Sequence, residues 1–452
     1  MNESKKILIT VSEGSIARNI VRSFVLEKLL EKSEARVALL VSHDKEEWYR
    51  KEFGSDRVTI EVWPNTPVTR FGKILSFLSR CGILTKTVLT DQATRYVEDK
   101  NWKIFFLKRC ITYTCGWNPL YHFVLRRITA FYIPDKKMQD IFKKIKPDLL
   151  FSTDVLDEMD FEAMREARRQ NIQIVGMVRS WDNLTSGGLV MVVPNLVLLW
   201  NPFLYRKARF VQHIAANRLK IVGIPHFDWY TKTELLVSRE EFCQKFKIDP
   251  NKKIILFGAI GNFLAPHESE VVETLSHALR ENKLPDVSII FRPHPHFISD
   301  KEKIEKLGNI IFDDLVAQYT GSERSSWEMD REKIAHLVNS LYHADLVITT
   351  ASTMTMDAVA FGKPVVCIAF DGRSNELHWN SILRFYQNYT HYIEIAKTKG
   401  FKIASSPEEL IRHVNEYLKN PELDKEGRQK VFDEFIWKLD GKSAERVVNF
   451  VK

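Results

Sequence analysis

Short apolar runs of strand length, separated by helical stretches, recur along this chain in two series, and that alternation limits the fold more than any other feature. The first series reads KILITV (6–11), RVALLVS (36–42), VTIEVW (58–63), DLLFSTD (148–154), IQIVGMV (172–178), LVLLW (196–200) and LKIVGIP (219–225). The second reads KIILFGA (253–259), VSIIFRPHP (287–295), NIIFDD (309–314), DLVITT (345–350) and PVVCIAF (364–370). Continuous rather than alternating apolar runs, joined through helices, predict parallel sheets covered on both faces. Helical patterns are expected from Ser15 to Glu31, at 158–170, 202–217, 267–281, 331–342 and 353–361, and along 424–450.

At 452 residues the chain exceeds one compact core. The expected organisation is an N-terminal domain over 1–235 with a helical insertion at about 64–147, and a C-terminal domain over 236–423. A final segment, 424–452, is expected to pack back on the first domain. Two doubly wound α/β domains facing each other place ligands outside the carboxyl ends of their strands, in the cleft between them. An apolar share of 44% and a charged share of 27% are ordinary for a globular protein. No apolar run reaches the roughly 18 residues of a membrane span, and the N-terminus lacks the pattern of a signal peptide, so a cytoplasmic protein is expected. Five scattered cysteines, none in a CxxC pair, support neither a zinc ribbon nor a disulfide framework. The net charge of +8 favours anionic partners, but the basic residues are dispersed and no nucleic-acid module is present.

The residues 101–134 stand apart: five cations, many aromatics and no acid. This composition suits a membrane interface or an amphiphilic acceptor, and equally a helical hairpin with core aromatics and solvated cations.

Chemistry should lie in the loops that follow the strands. In TTASTMTMDAVAFGKP (349–364), Ser352 or Thr353 can cap a helix whose free N–H groups suit a phosphate, and Asp357 one turn on could accept ribose hydroxyls. In RPHPH (292–296), Arg292 offers a fork for a diphosphate and His294 a further donor. In FGAIGN (257–262), Gly258 and Gly261 permit close backbone approach. The first domain offers Glu13, Gly14, Arg18 and Asn19 in VSEGSIARN (11–19), Asp182, Asn183 and Thr185 in RSWDNLTSGG (179–188), and Asp154 after LLFST. A general base would come from this set. Each has a purely structural counterpart: a salt bridge for Arg292 or Glu13, an Asx turn for Asp182, simple capping for Asp357.

The stretches SEGSIARN, RSWDNLTS, VGIPHFDWY, RPHP and TTASTMTMDAVAFGKPVV together resemble the GT-B glycosyltransferases. Within that superfamily the chain is similar to bacterial surface-polysaccharide enzymes that group with CDP-glycerol glycerophosphotransferases, Kdo transferases and UDP-sugar 2-epimerase-like proteins. The resemblance implies a nucleotide-sugar donor on the second domain, held by Gly258, Arg292, His294, Ser352, Thr353 and Asp357. It implies a saccharide, glycolipid or lipid-linked acceptor on the first domain, with Glu13 or Asp182 as the base. Asp357-Ala358 stands where many members have Glu-Ala. No cofactor and no metal in the site are expected, and the enzyme would work at the inner face of the cytoplasmic membrane, touching it through 101–134. Glu13 matches the loop in which Kdo transferases carry their basic Glu, whereas the glycerophosphotransferases use a first-domain His that this loop lacks. Phosphotransfer from a CDP-alcohol and 2-epimerisation of a UDP-sugar are the rival activities, and a nucleotide- or carbohydrate-binding partner subunit is the non-catalytic one.

Overall fold

Seven of the apolar runs pair in parallel because the helical connections return each strand to the same edge of the sheet. They are β1 (Lys6–Val11), β2 (Arg36–Val41), β3 (Val58–Val62), β4 (Leu149–Ser152), β5 (Gln173–Met177), β6 (Leu196–Leu199) and β7 (Leu219–Ile221). Their order is β3-β2-β1-β4-β5-β6-β7, with Ile7 flanked by Val37 and Leu149. The computed structural model describes residues 4–63, 69–319, 327–374 and 379–452. A second parallel sheet uses β8 (Lys253–Gly258), β9 (Val287–Arg292) and β10 (Ile311–Phe312). A ribbon of β11 (Gln318–Tyr319) and β12 (Trp327–Glu328) follows, and the sheet resumes with β13 (Leu346–Thr349), β14 (Val365–Ile368) and β15 (Lys402–Ala404). Its order is β10-β9-β8-β13-β14-β15. Both orders reverse direction once, between β1 and β4 and between β8 and β13, and such reversal points are where doubly wound sheets open a binding crevice.

The chain divides into two compact units: Met1–Asp228 with Tyr319–Glu328 and Asp440–Lys452, and Trp229–Gln318 with Met329–Leu439. The final segment is therefore shared, and it is not one helix. A helix over Lys425–Val431 runs into a π turn, Phe432–Ile436, and breaks at Trp437, whose φ is 77°. A separate helix, Ser443–Val451, completes the first unit, its N-terminal N–H groups at Ser443 and Ala444 bound by the Asp228 carboxylate at 3.0 and 2.8 Å. The expected helix from Ser15 is likewise interrupted. A short turn, Gly14–Ile16, passes into a π turn, Ala17–Val21, and Phe24 at φ 67° restarts the chain as Val25–Lys32. Five helices, from Arg70–Arg80 to Lys136–Ile145, lie between β3 and β4. Residues 64–68, the start of the expected insertion, lie outside the described residues. No helix among the described residues is long and apolar enough to cross a membrane.

One excursion fixes the first unit. Glu328, fully buried on β12, accepts from Lys45 Nζ and Tyr49 Oη at 2.8 Å each and from Arg22 Nη1 at 2.5 Å. Gly14 is a glycine for the same reason: a Cβ there would lie 2.0 Å from the Trp327 carbonyl oxygen. Glu328→Ala would leave buried Lys45 without its carboxylate and Arg22 with Glu52 in place of two acids, and is expected to lower stability by about 3–5 kcal/mol in urea unfolding. A loss below about 1 kcal/mol would contradict this role.

Candidate active site

Where the first sheet reverses, β1, β4 and β5 end side by side and each delivers a charged group. Glu13 follows β1, Asp154 follows β4 and Arg179 follows β5. Arg179 holds both acids, Nη1 donating to Glu13 Oε1 at 2.7 Å and Nε lying 3.2 Å from Asp154 Oδ2. Ser15 Oγ also donates to Glu13. Glu13 stays 45% exposed at its side chain whereas Asp154 is buried, so the first can meet a ligand and the second acts from behind.

Burial pushes the Asp154 carboxyl up to about 6 despite the pull of Arg179. Burial works against the Arg179 charge too, but Asp154 and Glu13 outweigh it, and the guanidinium holds its proton more tightly than usual. Two more acids follow at three-residue spacing. Asp157 caps the helix Glu158–Arg169 through Met159 N at 2.9 Å, and burial raises its carboxyl. Asp160 is buried beneath the strand ends, accepting from Ser152 Oγ at 2.7 Å and Thr10 Oγ1 at 2.5 Å, and burial together with its acidic neighbours drives it well above the usual range. Asp154, Asp157 and Arg179 line a cavity of about 320 Å³ with Arg80, Phe161 and Asn183.

Asp182, the other expected base, is occupied locally. It accepts from Ser180 Oγ at 2.5 Å and from Ser186 Oγ at 3.3 Å, and its carbonyl accepts from Thr185 Oγ1 at 2.8 Å. Thr185 thus folds back on the Asp182 backbone carbonyl, and the Asp182 side chain does not form the expected Asx turn with it.

In the second unit the strand-end loops are largely satisfied by the protein itself. Arg292 is buried, its Nη1 donating to Asp313 Oδ2 at 2.7 Å, while His336 Nε2 lies 2.8 Å from Asp313 Oδ1. Burial alone would raise Asp313, but Arg292 and His336 bring it below the usual carboxylate range. Arg292, the residue expected at a diphosphate, thus makes a buried ion pair within the protein. The missing Cβ of Gly258 makes room for Met354, whose Cγ would be 2.9 Å away, not for a ligand. Gly261 adopts φ +84° with Phe297 against it, and the N–H groups of Ile260 and Gly261 donate to the Glu268 carboxylate at 2.9 and 3.1 Å. Burial pushes Glu268 up to about 7.

His294 Nδ1 accepts from the N–H groups of His296 and Phe297 at 3.1 and 3.2 Å, which puts the proton of the neutral ring on Nε2. Ser352 is framed by Tyr392, whose hydroxyl accepts from Ser352 N at 2.5 Å and donates to Ser352 O at 2.9 Å. Its Oγ lies 2.9 Å from Thr349 Oγ1 and accepts from Met354 N at 3.2 Å. Thr353 is exposed at the start of the helix Met354–Ala360 and makes no side-chain cap. Asp357 is buried and accepts from Tyr230 Oη at 2.7 Å. No group of three or more His, Cys, Asp or Glu among the described residues could hold a metal ion.

Arg179 stood inside a quoted motif without a role, and Asp157, Asp160, Asp313 and Glu268 had none. The spacing in STDVLDEMD was visible, but only burial turns it into a site.

Two parallel-sheet units, each with one reversal of strand order, and charged groups gathered at the strand ends define a GT-B fold enzyme of transferase type. A glycosyltransferase from Rickettsia africae shares the fold at TM-score 0.53 and 13% identity over 99% of both chains. UDP-GlcNAc 2-epimerase from Neisseria meningitidis, bound to UDP-GlcNAc, gives 0.54 and 13% over 98% of this chain and 99% of that one. The wall teichoic acid polymerase TagF gives 0.51 and 11% over 98% and 87%. The chain belongs to the CDP-glycerol:poly(glycerophosphate) glycerophosphotransferase family, whose model matches residues 195–452, more than half of its length. No curated protein sequence matches it. The Glu13–Arg179–Asp154 cluster precedes the matched stretch.

Two outcomes separate structure from chemistry here. Arg292→Ala leaves buried Asp313 with only His336 and the Leu315 N–H as partners and is expected to cost about 3 kcal/mol of stability, measured by denaturant unfolding. Unchanged stability would return Arg292 to the ligand-binding set. For Asp154, a folded-state value above the unfolded one means that the native state binds more protons between about pH 4 and 6, so its contribution falls as pH rises through that window. Asp154→Asn should therefore gain on the parent by on the order of 1 kcal/mol between about pH 5 and pH 7.5. A gap that stays constant with pH would show that Asp154 is not raised.

Proposed function

We propose that this protein transfers a sugar from a nucleotide-activated donor to a hydroxyl of an anionic cell-envelope polymer, with Glu13 as the base. The observation that carries this reading is the Arg179 bridge, which aims one accessible and one buried carboxylate at the same point of the sheet's reversal. Glu13 takes the proton of the acceptor hydroxyl. Arg179 fixes the Glu13 carboxylate, and Asp154 positions Arg179 in turn. A carboxylate so placed suits a single displacement at a sugar carbon, where the base acts on the attacking oxygen.

The acceptor's chemistry is suggested by the surface that leads away from the acids. The cavity beside Asp154 shares Ser76, Arg80, Glu158 and Gly187 with a second one of about 550 Å³, to which Lys73, Arg95 and Lys108 contribute. In this second cavity Lys73, Arg80, Arg95 and Lys108 outnumber the two acids, Asp91 and Glu158, an excess that suits a polymer carrying phosphates. The family's own substrate, poly(glycerophosphate), is of that kind. On the second unit, Ser352, Thr353 and His294 are the groups assigned to the donor, while Arg292 and Asp357 are engaged by Asp313 and Tyr230.

Family membership favours a second reading, transfer of glycerophosphate from CDP-glycerol. The leaving groups differ: a nucleoside-diphosphate sugar releases the nucleoside diphosphate, and CDP-glycerol releases CMP. Incubation with UDP-, GDP- and CDP-linked donors and a phosphate-polymer acceptor, read by nucleotide chromatography, should yield a nucleoside diphosphate. CMP released from CDP-glycerol in step with polymer growth would establish the second reading instead. Glu13→Gln is expected to lower turnover at least 100-fold with donor affinity within about twofold of the parent. A variant that keeps full turnover would remove Glu13 from the chemistry.

A further inference from the structure

At the opposite end of β5 from Arg179 lies a pocket of about 580 Å³ lined by Arg126, Arg127, Arg168 and Arg218. None of its lining residues is acidic, and none of the four arginines pairs with a carboxylate among the described residues. Three of them are held instead by neutral carbonyls. Arg126 donates to Val190 O at 3.0 Å and Gln212 O at 2.6 Å, Arg168 to Val193 O at 2.6 Å, and Arg218 to Pro194 O at 3.1 Å. The carbonyls fix the guanidinium groups but leave their charges uncompensated. Arg126 uses two donors in these bonds, of the five that a guanidinium carries.

The wall of this pocket continues into an exposed apolar surface. Phe123 and Arg127 stand one turn apart on the helix Pro119–Ala130, with Arg127 over the Phe123 ring at 5.1 Å. Leu120, Val124 and Ile128 are exposed on the same helix, and Phe131 at its end is 84% exposed. The preceding helix, Trp102–Cys115, adds exposed Trp102, Phe106 and Tyr113. Two consecutive helices that leave their aromatics in water are expected to cover them with something.

We propose that the four-arginine pocket binds a phospholipid phosphate headgroup, with the exposed aromatics of these two helices lying in the interfacial layer of an anionic membrane. Aromatic rings favour the headgroup level of a bilayer, and basic side chains are drawn to its negative surface. The charge of this face complements such a surface and opposes a second copy of the chain. Residues 101–134 carry five cations and no acid, so a two-fold contact through this face would set like charges against each other. The inference does not depend on the sugar-transfer reading, and its test measures no activity.

Flotation of the full chain with phosphatidylcholine vesicles and with vesicles containing about one third phosphatidylglycerol tests it. The protein should bind the anionic vesicles at least tenfold more tightly than the neutral ones. The double variant Arg168→Gln, Arg218→Gln should bind them roughly 20-fold less well, about fivefold for each basic group near the surface, with an unchanged melting temperature. Phe131→Ser should weaken binding with the melting temperature also unchanged. Equal binding by the double variant would overturn the headgroup site. So would failure of the parent to float with either vesicle, including the case in which inorganic phosphate alone raises its melting temperature and marks a free-phosphate site. A concentration-dependent dimer that Phe131→Ser abolishes, without vesicle binding, would give this face to a second copy and overturn the proposal.

Discussion

The arginine shared between Glu13 and Asp154 is the interaction on which the chemistry proposed for the first unit depends. Three strands that are distant in sequence end at one place because the parallel order reverses between β1 and β4. Without Arg179, two carboxylates and the buried Asp157 and Asp160 would face one another, and like charges at that range drive protonation. With it, Asp154 ionises near neutrality and Glu13 is oriented without being enclosed. The same corner is closed from elsewhere in the chain: β12 presses Trp327 against Gly14 and buries Glu328 among Arg22, Lys45 and Tyr49. The loop that carries Glu13 is thus held at both sides by ion pairs.

The second unit follows a different principle. Its strand-end loops resemble a ready anion site in sequence, yet most of their donors are consumed internally, by Glu268, Asp313 and Tyr392. Such loops are stiff, and the few groups left at their surface are correspondingly well placed. Stiffness comes at a cost in burial, since Glu268 sits near its titration point at neutral pH.

Much of this architecture was legible in the chain. Each apolar run of the two series became a strand within a few residues, because continuous apolar stretches flanked by polar turns have few alternatives. β15 went unseen, since KIA between polar neighbours carries no such signal. Helix continuity was misjudged at Phe24 and Trp437, where tertiary packing imposes left-handed backbone on residues that do not announce it. The site was half legible. Glu13 and Asp154 were found by their position after strands, but the partner of a charged side chain is a three-dimensional fact. Nothing in RPHPH tells that Arg292 meets Asp313, and nothing in RSWDNLTS tells that its arginine, rather than its aspartate, joins Glu13.

The measurement that bears most directly on this account is transfer by Arg179→Lys compared with the parent, alongside donor binding. A lysine keeps the charge but cannot bridge both acids with one planar fork. Turnover at least 30-fold lower, with donor affinity unchanged and an altered acid limb in the pH profile, is the expected result. Parent-like turnover and pH dependence would contradict the claim that the shared arginine organises the site.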